Sequence, residues 1–136
     1  MRVIKLQLPF ISLIAGLLLM ATPSVGQEDV INNARLALKT GSSKELAKYF
    51  NKMVELNIDG EKSNYSKTQA EFVLRDFFKK FPPTDFQYIH QGASREGLKY
   101  AIGRYTYANG SFRVYMLVKK FDSNYLIDTM DFSKQN

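Results

Sequence analysis

Cysteine is absent and histidine occurs once, at position 90. Without cysteine the chain forms no disulfide, offers no thiol nucleophile or cysteine–zinc site, and cannot carry a lipid on an N-terminal cysteine. A single imidazole would need several carboxylates from elsewhere to close a zinc site, so no metal and no cofactor are expected. There is no glycine-rich phosphate loop and no Gly-x-Ser-x-Gly nucleophile elbow. The acidic stretch "NIDGEKSN" (57–64) lacks the alternating ligands and final glutamate of a calcium loop. Internal repeats and low-complexity tracts are also missing. A domain built this way must be held together by its core alone.

Long apolar runs are scarce, and the one present lies at the start. Arg2 and Lys5 precede an apolar stretch over 6–21, and small residues follow at Ser24, Val25 and Gly26. This is the layout of a secretory signal peptide with a small-residue cleavage site. Pro9 interrupts the run, and 10–21 is shorter than the ~20 residues that span a bilayer, so no membrane span is expected after cleavage. The expected division is a signal peptide over 1–26 and a single domain over 27–136. The expected location is the periplasm, the envelope or the exterior. About 110 mature residues suffice for one modest core. The chain holds 19 Lys and Arg against 13 Asp and Glu. Two of the basic residues fall in the leader, which leaves a mild surplus that serves solubility and no polybasic tail.

Apolar residues at 30, 31, 34, 37 and 38 predict a helix over 28–39, stopped by Gly41. "SSKELAKYF" predicts a second, shorter helix in which Ser42 and Glu45 have capping-box spacing and Leu46, Tyr49 and Phe50 form the apolar face. "MVELNID" alternates as a strand and runs into an Asp59-Gly60 turn. Ser66 and Gln69 form another capping box. Ala70, Val73, Leu74, Phe77, Phe78 and Phe81 then predict a third helix, which Pro82 and Pro83 end. Four strands should follow, over 85–92, 98–107, 111–121 and 125–132, rich in Tyr, Phe, Val and Ile. Turn residues at 95–97, 109–110 and 122–124 join them. The fold class is α+β: three N-terminal helices packed on a curved, mainly antiparallel β-sheet.

That order resembles the nuclear transport factor 2-like superfamily, the cystatin-like roll, whose curved sheet wraps a long helix to form a cone. The mature chain looks closest to a secreted bacterial family known as a domain of unknown function. The segments that carry the likeness are "LRDFFKKFPP" (74–83), "IHQG" (89–92), "YAIGRY" (100–105) and "GSFRVYMLVKK" (110–120). The resemblance implies the cone and covers nearly all of the mature chain. It leaves the task open, because the superfamily includes isomerases, dehydratases and many non-catalytic binding or assembly domains.

If Asn109 and Gly110 form a two-residue turn, Ala108 pairs with Ser111, Tyr107 with Phe112 and Arg104 with Tyr115, and paired residues share a face. Ala101, Gly103, Tyr105, Phe112, Val114, Met116 and Val118 should then face the helices. Tyr100, Ile102, Arg104, Thr106, Arg113, Tyr115, Leu117 and Lys119 should face outward. A turn at Glu96 and Gly97 carries the register back to place His90 opposite Gly103, on the same side as Phe86 and Tyr88. The expected pocket is therefore Tyr49, Tyr88, His90, Gly103, Tyr105 and Met116. His90 is the only candidate for catalysis, and it would need a tyrosine or Asp128 as partner. Asp128 could face either way.

Three readings stay open. The favoured one is an exported, non-catalytic binding or assembly module for an unknown small ligand or an envelope protein. The second is an isomerase or dehydratase using His90 with a tyrosine or Asp128. The third is a dimerising scaffold. Tyr100, Ile102, Tyr115 and Leu117 cluster on the outer face beside Arg104 and Arg113, which suits an interface. The resemblance adds that relatives of this fold commonly dimerise there. "RYTYANGSFRVY" interleaves arginine with tyrosine as RNA platforms do, but the element order is wrong for the common RNA-recognition fold and the export signal argues against it further, so no nucleic acid partner is expected.

Overall fold

The computed structural model describes residues 26–94 and 96–136, so the expected signal peptide lies outside the described residues except for Gly26. The first helix, α1 (Gln27–Thr40), buries Val30, Ala34, Ala37 and Leu38. It stops at Gly41, whose φ of 70° favours a residue without Cβ. Helix α2 (Ser43–Ala47) is a single turn capped by Ser42, whose Oγ accepts from the Glu45 N–H at 3.1 Å. It ends before Tyr49, and the buried Phe50 already belongs to strand β1 (Phe50–Ile58).

Strand β1 turns through Asp59 and Gly60, at φ 50° and 94°, into β2 (Glu61–Ser66). Both turn residues take the positive φ that a tight twisted hairpin requires. Strand β2 is an addition to the five strands expected. Its sequence, EKSNYS, lies at the edge of the sheet, and Tyr65 alone packs against the core, so it carries almost no hydrophobic signal. Helix α3 (Lys67–Lys80) has both halves of its capping box. Ser66 accepts from the Gln69 N–H, and the Gln69 side chain accepts from the Ser66 N–H. Its buried stripe is Ala70, Leu74, Phe77 and Phe78.

The remaining strands are β3 (Pro83–Ala93), β4 (Lys99–Tyr107), β5 (Gly110–Phe121) and β6 (Asn124–Gln135). All six form one open curved sheet in the order β2-β1-β6-β5-β4-β3, antiparallel except where β1 runs parallel to β6. The fold is α+β. Helix α1 packs mainly on β3, and α3 on α2, β1 and β2.

The β4–β5 turn falls earlier than Asn109-Gly110. Tyr107 pairs with Gly110, so Ala108 and Asn109 make the turn and Arg104 opposes Arg113, not Tyr115. Gly110 stays in the strand because the Tyr107 ring lies across it; a Cβ there would sit 3.0 Å from the Tyr107 hydroxyl. The shift is two residues, so every side chain keeps its expected face. Ala101, Tyr105, Phe112, Val114, Met116 and Val118 are indeed buried.

Phe77 stands at the centre of this core. Its ring lies 4.7 Å from Phe132, 5.0 Å from Phe112, 5.3 Å from Phe81 and 5.5 Å from Tyr105, centroid to centroid. Fully burying such a side chain stabilises by about 1.5–3 kcal/mol, and edge-to-face packing adds to that.

Candidate functional site: the outer face of the sheet

The helix-facing side holds the phenols expected to line a pocket, and each is committed to the fold. Tyr105 is fully buried and donates its hydroxyl hydrogen to the Phe81 carbonyl. Tyr88 donates to the Ile31 carbonyl at 2.6 Å, which ties β3 to α1. Burial pushes both phenols well above the ordinary tyrosine range, with Arg35 opposing the shift at Tyr88. Gly103 makes room for Phe86, not for His90. A Cβ on it would overlap the Phe86 ring and come within 2.9 Å of the Gln87 carbonyl oxygen. Met116 is core. Tyr49 lies apart, in a cleft against Asn33, Leu36, Ala37 and Thr40 of α1. The six expected pocket residues are therefore not brought together.

His90 lies on the face opposite to the one expected. The β3–β4 connection is a five-residue loop over 94–98, not a two-residue turn at Glu96 and Gly97. The Ser94 N–H donates to the Leu98 carbonyl at 2.9 Å, and Ser94 Oγ accepts from the N–H groups of Glu96 and Leu98 at 3.3 Å. This sets His90 opposite Ile102, one step from the expected register, and one step reverses the face. A bulge at Ile89, which is 62% exposed, then restores Tyr88 and Phe86 to the inner side. His90 is exposed on the outer face, with Nε2 3.0 Å from the Tyr100 hydroxyl.

Asp128 is likewise the extra residue of a bulge, between the pairs Leu117–Thr129 and Val118–Ile127. Its carboxylate lies 3.3 Å from Lys119 Nζ and accepts from Thr129 Oγ1 at 3.1 Å. Strands β4 and β5 separate His90 from Asp128, a span of about 14 Å at ordinary strand spacing. They cannot form an acid–base pair. Among the described residues no three His, Asp or Glu side chains cluster to hold a metal ion.

What the outer face does bring together is the apolar cluster. Tyr100 pairs with Leu117 and Ile102 with Tyr115, so four half-buried side chains are contiguous. The Tyr100 and Tyr115 rings lie 6.5 Å apart at 26°. Tyr100 reaches across Gly92 of the edge strand, where a Cβ would overlap its ring, and so meets His90. Arg104 and Arg113 flank the cluster, directly opposite one another and exposed. On the neighbouring strands sit Glu55, 3.6 Å from Lys62, and Asp131, which accepts from Asn57 at 3.2 Å and from Ser133 at 3.0 Å.

The apolar pattern of the chain gives no sign of a groove beside α3. Leu56, Ile58, Tyr65, Val73 and Phe77 line an open groove of about 240 Å³ between the β1–β2 hairpin and α3, with Glu61, Asp76 and Lys80 at its rim. It depends on β2, the strand that carries no apolar pattern.

Residues 31–133 match the domain of unknown function DUF4783. Among solved structures, a DUF4783 family protein from Bacteroides ovatus is 36% identical, with a TM-score of 0.73 over 76% of this chain and 94% of that one. One from Bacteroides uniformis is 31% identical, also at 0.73, over 77% and 96%. A nuclear transport factor 2-like protein of unknown function from Cytophaga hutchinsonii shares the fold at a TM-score of 0.58 and 10% identity, over 85% of this chain and 95% of that one. No curated protein matches the chain. The chain thus belongs to the DUF4783 family, and its roll is that of the nuclear transport factor 2-like, cystatin-like proteins.

Proposed function

We propose that this chain is an exported, non-catalytic assembly module that pairs with a second copy of itself through the outer face of its sheet. The observation that carries the reading is the contiguous cluster of Tyr100, Ile102, Tyr115 and Leu117, on a sheet whose other side is packed with aromatic rings. Outer faces of antiparallel sheets ordinarily alternate toward polar residues, and a compact apolar patch there suits an interface. Charge supports a second copy as the occupant. The free basic pair lies on β4 and β5, and Glu55, Asp128 and Asp131 lie on β1 and β6. A two-fold pair brings one surface against itself, so the acidic strands of one copy can meet the basic pair of the other. Export rests on the basic, apolar and small-residue layout of 1–26.

Sedimentation at micromolar concentrations tests the pairing. The wild type should sediment as a dimer, and Leu117→Asp as a folded monomer, because Leu117 does not face the helices. A wild-type monomer at high micromolar concentration removes the reading. A second reading, capture of a small amphipathic ligand, is favoured by the groove between the β1–β2 hairpin and α3. Native mass spectrometry of protein from its own host separates the two, since retained ligand mass on a monomer supports the groove and a bare dimer supports the sheet face. The same spectrum shows whether the chain begins at Gln27, as export requires.

A further inference from the structure

We infer that Arg104 and Arg113 form an oxyanion-binding site, one that takes a phosphate-type group. The β4–β5 register sets the two arginines directly opposite one another. Directly opposed residues on one face have Cβ atoms about 4.5–5.5 Å apart, and like charges so placed destabilise a sheet. The fold does nothing to relieve this. Both side chains are exposed, and neither has an ion pair or side-chain hydrogen bond among the described residues. The carboxylate one step away, Asp131 opposite Tyr115, accepts from Asn57 and Ser133 instead of from Arg113.

The surroundings complete a donor row. Gln87 stands opposite Arg104 on β3, and the next pair along β4 and β5 is Thr106 with Ser111. Two planar guanidinium forks beside two hydroxyls match the several oxygens of a phosphate group, which each fork can engage through two N–H bonds. Ile102 and Tyr115 lie on the other side of the pair and offer an apolar surface to whatever carries the anion. The site forms within one chain, and in the proposed pair the acidic strands of the second copy compete with phosphate for it.

Melting curves of the purified protein at neutral pH, with ionic strength held constant by sodium chloride, test this against inorganic phosphate. At phosphate ten times its dissociation constant, the melting temperature should rise by about 5–8 °C. Arg104→Gln and Arg113→Gln should each lose most of that rise. Without phosphate, both variants should melt no lower than the wild type, because each removes the repulsion. Co-sedimentation with phosphatidylglycerol vesicles distinguishes the source of the anion. A response to free phosphate assigns a soluble ligand. Vesicle binding alone, lost in both variants, assigns a lipid headgroup. An equal response in wild type and variants, or no response to either probe, overturns the site whatever the oligomeric state.

Discussion

Gly103 is buried in β4 because the Phe86 ring of the neighbouring strand fills the space a side chain would take. The nearest atoms include the Gln87 carbonyl oxygen, which is backbone and cannot swing away. Gly103→Ala should therefore destabilise the fold by about 1–3 kcal/mol, the ordinary cost of overpacking a filled core. Urea unfolding measures it, and an unchanged midpoint would mean the ring and strand yield freely. The glycine's role as a space-maker was legible in the sequence, but its beneficiary was not. His90 and Phe86 lie four residues apart on β3, and only the bulge at Ile89 decides which of them faces the helices.

At the level of elements, the helices follow from local chemistry. Ser66 and Gln69 satisfy each other's free amides at the start of α3, and the apolar stripe begins one residue later. Ser66→Ala should cost about 1 kcal/mol and lower the melting temperature by about 4–8 °C. An unchanged melting temperature would mean that this cap does not hold the start of the helix. Strands are less self-contained. Strand β2 exists because β1 offers it a partner across an Asp59-Gly60 turn, while its own residues are polar. The β4–β5 turn moved by one residue, which shifts the cross-strand pairing by two and leaves Gly110 in the strand opposite Tyr107. The faces survived that shift because side chains alternate with a period of two.

For the whole molecule, the two buried phenols link stability to alkaline pH. Burial raises the folded-state values of Tyr88 and Tyr105 above their unfolded value of 10.0. Their contribution is fully present below about pH 10, where both states hold the proton. Above that, the unfolded chain loses protons first, and the contribution falls away as pH climbs toward the folded values. Urea midpoints should therefore hold up to about pH 10 and fall progressively as the pH rises above it. Tyrosinate absorbance is the second check. Of the eight tyrosines, these two should ionise only as the fold is lost. Reversible titration of all of them with the fold intact would show that the bonds to Phe81 and Ile31 do not protect them.

The amino-acid order alone determined the fold class, the three helices and the split between apolar and mixed faces in β4 and β5. Each of these depends on spacing, capping or alternation within a short stretch. Tertiary structure decided the placement of His90 and Asp128, because both sit at or beside bulges where one unpaired residue reverses a face. It also decided that the inner side is filled. Whether aromatic rings leave a cavity depends on how α3 seats Phe77 among Tyr105, Phe112 and Phe132, which are distant along the chain and meet it only when the sheet curves around the helix.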